Sequence, residues 1–289
     1  MTVSTATRPV AVIGAGTMGS GIAQVFAAAG RQVYLGDQDD AALKRGLASI
    51  AKSLDRLVKK GTLDAAGRDQ VQSRIRAAVS GLPLADCALA VEAVPERLEL
   101  KKAVLQALDR ALPADSILAT NTSSISITEL AAATSRPTRV IGMHFMNPVP
   151  LMPLVEVVRG LETSEEVVQA TLEEARALGK TPVVVEDRPG FVSNRVLLPM
   201  INEAVFALQE HVATREAIDT VMKLGMNHPI GPLALADLIG LDVCLDILEV
   251  LHRGFGDDKY RPCPLWRTMV AAGRLGRKSG RGFYEYADS

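Results

Sequence analysis

The chain lacks several features that would assign it to a broad class of protein. Its 289 residues include 32 lysines and arginines against 33 aspartates and glutamates, so the basic excess of a general nucleic-acid binder is missing. Aromatic residues make up only 4% of the chain, too few to predict stacking platforms for single strands. Three widely separated cysteines, Cys87, Cys244 and Cys263, indicate neither a disulfide framework nor a metal site.

Long apolar runs are missing as well. No stretch approaches the roughly 18 to 20 apolar residues that cross a bilayer. The first residues pass into an apolar strand pattern at Pro9 without the basic and apolar regions of a secretion signal. A chain of this length can bury a sizeable core in one or two domains. We therefore expect a globular, cytoplasmic protein without nucleic-acid or membrane partners.

Short apolar runs alternate with helical patterns over residues 1–187, which predicts βαβ units and a mostly parallel sheet. A first strand is followed by a helix from Thr17 to a stop at Gly30. The predicted strands are Pro9–Gly14, Gln32–Gly36, Cys87–Val91, Ser116–Ala119, Arg139–Met143, Leu154–Val158 and Pro182–Val185.

Two further patterns complete the predicted organisation. Residues 39–60 and 64–78 have helical spacing of apolar residues, and Gly61 separates them, which favours a helical hairpin inserted between strands. After Glu186 the strand patterns cease, and helices are predicted over residues 191–211, 214–224, 232–239 and 242–255. We expect residues 188–289 to form a separate helical domain.

A glycine loop directly follows the first predicted strand and opens a helix. Its residues are Gly14, Ala15, Gly16, Thr17, Met18 and Gly19. Such glycines allow a tight turn, close approach of a pyrophosphate, and packing of helix on strand, so a Rossmann-type fold and a dinucleotide are predicted. Asp37 ends the next strand, where a carboxylate accepts hydrogen bonds from ribose hydroxyls and repels a 2′-phosphate. NAD is therefore predicted over NADP, the alternative being a glycine-rich turn with a surface aspartate.

His144 and Glu156 form the most informative polar pair. His144 follows a predicted strand, and Glu156 interrupts the otherwise apolar run Leu154–Val158, where an unpartnered carboxylate would be costly. A histidine paired with a carboxylate can take a hydroxyl proton near neutral pH while hydride leaves for a nicotinamide. The structural alternatives are that His144 caps a strand and that Glu156 pairs with an arginine.

Other polar residues have two interpretations each. Residues 120–124, Thr-Asn-Thr-Ser-Ser, follow a predicted strand and could cap the next helix or hold a substrate oxygen. Asn147 and Asn194 could fix loops or contact ligands. On the first long helix, Lys52, Arg56, Lys59 and Lys60 share one side, either as a solvated face or as a contact for a phosphate-rich substrate, with Ser53 nearby.

Several motifs in order resemble the short, monofunctional 3-hydroxyacyl-CoA dehydrogenases, especially the bacterial 3-hydroxybutyryl-CoA dehydrogenases. The resemblance covers essentially the whole chain. Its motifs are the glycine loop, Asn121-Thr-Ser-Ser, His144-Phe-Met-Asn-Pro-Val-Pro, Pro189-Gly-Phe-Val-Ser-Asn-Arg195, Gly231-Pro and Lys278-Ser-Gly-Arg-Gly-Phe-Tyr. The sequence departs from the family pattern at Met146, where a second aromatic residue would be expected after Phe145.

The resemblance implies an NAD-dependent oxidoreductase of fatty acid metabolism that converts short (S)-3-hydroxyacyl-CoA reversibly to 3-ketoacyl-CoA. It implies His144 as the base and Glu156 as its partner, with Ser123 and Asn194 beside the reacting oxygen. The further cofactor contacts that it implies are Glu96, Lys101, Ser123, Asn147 and Lys278, and the coenzyme A contacts are Ser53 and Lys60. The helical domain is implied to bind substrate and to form a homodimer.

Three other functions compete with this one. A related NAD-dependent dehydrogenase of a small hydroxy or sugar acid could use the same pair of residues. A dehydrogenase with a lysine base would place that lysine in residues 190–211, which contain none. A non-catalytic NAD-binding protein would bind the cofactor without turnover.

Overall fold

The computed structural model describes residues 8–286 of the chain. They form two compact units, with the boundary between Asp187 and Arg188. The first unit is α/β and the second is built from helices and an extended tail.

An eight-stranded sheet forms the centre of the first unit. Its strands lie in the order β3-β2-β1-β4-β5-β6-β7-β8, and every neighbouring pair is parallel except β6 with β7. The order reverses between β1 and β4, which is where such sheets bind ligands, at the carboxyl ends of the strands. The predicted Rossmann-type, mostly parallel sheet is confirmed. The strands are β1 Val10–Ile13, β2 Val33–Gly36, β3 Ile75–Ala78, β4 Leu89–Glu92, β5 Ile117–Thr120, β6 Val140–Phe145, β7 Leu154–Arg159 and β8 Thr181–Glu186.

Helices cover this sheet, and four of those described begin at a side chain that accepts a hydrogen bond from the first turn. Asp39 accepts a hydrogen bond from the Ala41 amide at the start of the longest helix, and Ser164 caps the last one in the same way, through the Val167 amide. The helices of the first unit are α1 Thr17–Ala28, α2 Asp40–Lys59, α3 Ala65–Ser73, α4 Leu98–Ala111, α5 Ile127–Ala131 and α6 Glu165–Ala177. Apolar residues of α1, α2 and α6 pack with those of the strands in one core.

The predicted helix over residues 64–78 is wrong in its second half. It ends at Ser73, and Ile75–Ala78 form β3, which pairs in parallel with β2. The two helices are present, but together they make the crossover between neighbouring strands, and α2 buries Leu43, Ile50 and Leu54 in the core. Four residues at a sheet edge are too few to show a strand period, so pairing with β2 decides their conformation.

The second unit has its own core around Trp266, whose indole nitrogen donates to Asn202 Oδ1 at 2.9 Å. Its helices are α7 Ser193–Gln209, α8 Arg215–Gly225, α9 Pro232–Ile239, α10 Leu241–Phe255 and α11 Pro264–Ala271. The predicted helical C-terminal region is confirmed, although α11, which carries Trp266, was not predicted.

Two classes of feature are missing from residues 8–286. No helix there combines the length and the apolar character needed to cross a bilayer. No group of three or more His, Cys, Asp and Glu side chains in that same stretch is placed to hold a metal ion. The three cysteines are buried, and burial raises the pKa of the Cys87 and Cys244 thiols to about 12.

Candidate active site

The glycine loop joins β1 to α1 at the edge of the sheet where the strand order reverses. Gly14 has a φ of +107°, and a Cβ there would lie 2.5 Å from the Ala93 carbonyl oxygen. A Cβ on Gly19 would overlap the Gly14 carbonyl, so both positions require glycine. Gly16 is exposed, with nothing within 4 Å of its Cβ position, which leaves open space before Thr17, Met18 and the first amides of α1. This cradle fits a pyrophosphate.

Asp37 lies beside that loop, one residue after β2. Its Oδ2 accepts a hydrogen bond from the Ala15 amide at 2.8 Å, and its Oδ1 accepts one from the Asp39 amide at 3.1 Å. The carboxylate lines a cavity of about 430 Å³, whose other walls include Leu82, Leu84, Leu100 and Val104. An apolar cavity next to a carboxylate and a glycine loop fits the adenosine half of a dinucleotide.

His144 and Glu156 stand directly opposite each other in the antiparallel pairing of β6 with β7. Their side chains therefore project from the same face, and His144 Nδ1 lies 2.8 Å from Glu156 Oε2. Both side chains are buried. An ionised Glu156 can only accept, so Nδ1 carries the hydrogen and Nε2 is the nitrogen that can take a proton.

The strand that carries His144 is longer than predicted. β6 extends to Phe145 because Phe145 pairs with Val155, and its amide donates to Asn121 Oδ1 at 2.9 Å. β6 therefore ends two residues beyond the predicted end at Met143, His144 lies inside it, and β6 pairs with β7 in antiparallel fashion. This geometry differs from both structural alternatives. His144 does not cap a strand, and the partner of Glu156 is a histidine rather than an arginine.

Ser123 occupies the other side of the imidazole. Its Oγ lies 3.0 Å from His144 Nε2, in the turn that follows β5. The alternative function of residues 120–124, capping the next helix, is wrong because Ser126 caps α5 through the Glu129 amide. The turn instead brings a hydroxyl to the nitrogen opposite Glu156.

Glu96 holds this turn from the β4–α4 connection. Its Oε1 accepts hydrogen bonds from the Ser123 amide at 2.9 Å and from the Ser124 amide at 3.0 Å. Partial burial alone would raise the pKa of Glu96, but the Lys101 charge and the hydrogen bonds from the turn hold it below its ordinary value. Glu96 is therefore an anion at neutral pH.

Lys101 is fully buried beneath Glu96. Its amine donates to Glu92 Oε1 at 2.8 Å and lies 3.3 Å from Glu96 Oε2. Glu92 also accepts a hydrogen bond from Thr120 Oγ1 at 2.6 Å. The roles of Glu92, Thr120 and Asn121 were not predicted from the sequence, which named Thr120 and Asn121 only as members of the polar run 120–124. A glutamate that ends the buried run Leu89–Glu92 is the signal that could have indicated the first of them.

Comparison with known proteins assigns the family. Residues 9–188 match the model of the 3-hydroxyacyl-CoA dehydrogenase NAD binding domain, and residues 190–286 match that of the 3-hydroxyacyl-CoA dehydrogenase C-terminal domain. The chain belongs to the 3-hydroxyacyl-CoA dehydrogenase family. The predicted family, its dehydrogenase activity and its NAD cofactor are confirmed.

Individual relatives are similar over nearly their full lengths. A "Probable 3-hydroxybutyryl-CoA dehydrogenase" of Deinococcus radiodurans is 57% identical over 95% of this chain and 99% of that protein. The 3-hydroxybutyryl-CoA dehydrogenase of Bradyrhizobium diazoefficiens is 53% identical over 96% and 95%. The crystal structure of an (S)-3-hydroxybutyryl-CoA dehydrogenase from Ralstonia eutropha matches with a TM-score of 0.95 at 52% identity, over 98% of this chain and 100% of that one.

The remaining residues predicted for this dehydrogenase lie in three places. Ser53 and Lys60 are seven positions apart on α2 and its C-cap, half-buried and exposed respectively. Asn147 is exposed in the loop after β6 and precedes a cis proline bond. Asn194 and Lys278 belong to the second unit, Asn194 in the first turn of α7 and Lys278 in the tail, with its amine 2.6 Å from Asp242 Oδ1.

Proposed function

We propose that this dehydrogenase oxidises short (S)-3-hydroxyacyl-CoA, such as 3-hydroxybutyryl-CoA, to 3-ketoacyl-CoA with NAD, and that it catalyses the reverse reaction. The observation that carries the proposal is the buried imidazole of His144, bonded to Glu156 through Nδ1 and to Ser123 through Nε2. The names of its relatives support the choice of substrate.

The proposed mechanism uses His144 Nε2 as the base. This nitrogen takes the proton of the C3 hydroxyl as hydride leaves C3, and it returns a proton to the carbonyl oxygen in the reverse direction. Glu156 keeps Nδ1 protonated and stabilises the imidazolium that forms. NAD, when held by Gly14–Gly19 and Asp37, supplies the hydride acceptor.

The other predicted contacts remain part of the proposal. Ser123 and Asn194 are proposed to hold the reacting oxygen. Ser53 and Lys60 are proposed to contact coenzyme A, while Glu96, Lys101, Ser123, Asn147 and Lys278 are the proposed additional NAD contacts. We further propose a cytoplasmic homodimer that associates through the C-terminal domain.

The test of this function is the reduction of acetoacetyl-CoA by NADH, compared with longer 3-ketoacyl-CoA chains and with the oxidation of free hydroxy acids by NAD. We expect turnover of the coenzyme A esters and little turnover of the free acids. The His144→Gln variant should lose about 10²- to 10⁴-fold in kcat with NADH still bound. A normal kcat in that variant would refute the proposed role of His144 as the base. A preference for a free hydroxy acid would refute the proposal that the substrate is a coenzyme A ester.

The coenzyme A contact can be tested separately. Lys60→Ala should raise the KM for acetoacetyl-CoA about five-fold with kcat unchanged, because an exposed ion pair contributes about 1 kcal/mol. Lys44→Ala is the matched control, since Lys44 is exposed on the same helix and pairs with Asp40. An equal KM for both variants would remove Lys60 from the substrate site.

A further inference from the structure

We propose that Glu96 is a positioning residue: its carboxylate fixes the backbone of Ser123 and so sets the distance between Ser123 Oγ and the base His144. This inference rests on the proposed function, because it assigns Glu96 a role in the same proton transfer. The positioning role is additional to the NAD contact proposed for Glu96 and acts on kcat, whereas the contact acts on NAD affinity.

One carboxylate oxygen organises the whole turn after β5. Glu96 Oε1 accepts from Thr122 Oγ1 at 2.5 Å, from the Ser123 amide at 2.9 Å and from the Ser124 amide and hydroxyl at 3.0 Å each. Thr122 Oγ1 in turn accepts from the Ile125 amide at 2.9 Å. Residues 122–124 are therefore held directly by one carboxylate oxygen, and Ile125 is held through Thr122.

This turn is coupled directly to the base. Ser123 Oγ lies 3.0 Å from His144 Nε2, and the neighbouring Asn121 side chain accepts from the Phe145 amide. The hydroxyl has only one rotatable bond between it and the backbone that Glu96 holds. A displacement of that backbone therefore moves Ser123 Oγ relative to Nε2, and misplacement of about 1 Å at a reacting group can cost about 10²-fold in rate.

Lys101 fixes Glu96 from beneath. Only 1% of the Lys101 side chain is exposed, and its amine is bonded to Glu92 and to the Val94 carbonyl and lies 3.3 Å from Glu96 Oε2. Glu92 is fully buried at the end of β4 and is itself bonded to Thr120. The charge that orients Glu96 is thus anchored at the end of β4, and this support is additional to the NAD contact proposed for Lys101.

A double-mutant cycle tests the proposal. Glu96→Ala should lower kcat about 10- to 100-fold at saturating NADH and acetoacetyl-CoA, conditions under which a loss of NADH affinity does not lower kcat. In a Ser123→Ala background the same substitution should lower kcat by less than about three-fold, because the group that it positions is gone. Glu96→Gln, whose amide oxygen can accept from the same amides, should restore kcat to within about five-fold of the wild type.

Glu99→Ala is the matched control, because Glu99 lies in the first turn of α4 and its side chain is 85% exposed. If Glu96→Ala does not fold, Glu96→Asp replaces it in the cycle, because the shorter side chain withdraws the carboxylate by one methylene. The loss of kcat should again be smaller in the Ser123→Ala background. Equal losses from Glu96→Ala in both backgrounds, or a raised Kd for NADH with normal kcat, would overturn the proposal.

Failure of the proposed function gives a different result. In that case His144→Gln and Ser123→Ala, each alone, would leave kcat at the wild-type value. If they lower kcat and Glu96→Ala does not, the proton transfer stands and only the positioning role of Glu96 is wrong.

Discussion

Both units of the molecule bury carboxylates, but they surround them with different partners. In the first unit Glu92 and Glu156 are bonded to Lys101 and His144, groups that carry or can acquire a positive charge. In the second unit Asp219 and Asp237 accept from backbone amides and tyrosine hydroxyls. Burial of an acid therefore does not identify an active site. A partner that can both take up and release a proton, as an imidazole can, is what makes a buried acid a candidate for proton transfer, whereas the acid paired with Lys101 has a supporting role.

In the second unit, the buried acids accept hydrogen bonds from backbone amides and so stabilise the fold. Asp219 Oδ1 and Oδ2 accept from the Leu233 and Ala234 amides at 2.8 and 3.0 Å, which satisfies the N-terminus of α9. A Cβ at Gly231 would overlap the Asp219 side chain, which explains the Gly231-Pro motif.

Asp237 holds the tail in the same manner. It accepts from the Phe283 and Tyr284 amides at 2.9 and 2.8 Å and from the Tyr286 hydroxyl at 2.9 Å. A Cβ at Gly276 or Gly282 would overlap Asp237, so packing against this acid requires glycine at Gly282 in the tail motif and at Gly276 just before it. The resemblance to the family over the tail thus has a structural component, independent of any contact by Lys278.

The largest expected effect comes from the first-unit pair. Glu156→Gln keeps the shape of the side chain but removes the charge that stabilises the imidazolium, so kcat should fall about 10²-fold with a modest change in KM. Steady-state acetoacetyl-CoA reduction measures both constants. A fully active variant would show that Glu156 has a structural role, like Asp219 and Asp237, and that the two units do not differ in the function of their buried acids.

The matching change in the second unit should affect stability instead. Asp219→Ala leaves the buried Leu233 and Ala234 amides without an acceptor and should lower the free energy of unfolding by about 2 to 3 kcal/mol, with kcat/KM of the folded enzyme within about two-fold. Urea unfolding followed by circular dichroism measures the difference. Glu216→Ala, an exposed position on the same helix as Asp219, should cost less than about 0.5 kcal/mol. A large loss of kcat without loss of stability would contradict the assignment of Asp219.

Asp37 is an intermediate case, because it accepts hydrogen bonds from backbone amides and also lines the cavity proposed for the adenosine of NAD. Asp37→Asn keeps an acceptor for the Ala15 amide and removes the charge that repels a 2′-phosphate. The ratio of kcat/KM for NADH to that for NADPH should fall about ten-fold. Asp39→Asn, which retains the cap of α2, is the control and should leave the ratio unchanged. An unchanged ratio in Asp37→Asn would show that Asp37 only stabilises the loop.

The smallest effect concerns the tail at alkaline pH. Burial, together with the hydrogen bond to Asp237, raises the pKa of Tyr286 to about 12, above the unfolded value of about 10. The neutral phenol is the form that the fold favours. Its contribution is therefore complete below about pH 10 and is lost as the pH rises from about 10 to 12.

Tyr286→Phe should lower the free energy of unfolding by about 1 kcal/mol at pH 8, and this difference from the wild type should shrink above about pH 10. Urea titrations of both proteins from pH 8 to pH 11.5 measure the difference. A difference that does not change with pH would show that Tyr286 does not donate to Asp237.

Local signals in the chain were sufficient for much of the fold. Glycines at fixed spacing after an apolar strand identified the β1–α1 loop, because only glycine permits the backbone of Gly14 and the packing of Gly19. Helical periods predicted four of the five helices of the second unit. The edge strand Ile75–Ala78 and the helix Pro264–Ala271 were missed, because each is short and takes its conformation from the elements it packs against.

For the site, residue types and their position along the chain were enough to nominate His144 and Glu156, because a carboxylate inside an apolar strand requires a partner. Ser123 was singled out from residues 120–124 only by the family resemblance. The order of residues along the chain does not predict that β6 and β7 run antiparallel. This pairing places the side chains of His144 and Glu156 opposite each other. The anchoring of Glu96 by Lys101 and Glu92 could not be predicted from the sequence either. Glu92 ends β4, Glu96 lies in the connection that follows, and Lys101 lies in α4, so only packing of α4 against the sheet brings the three groups together.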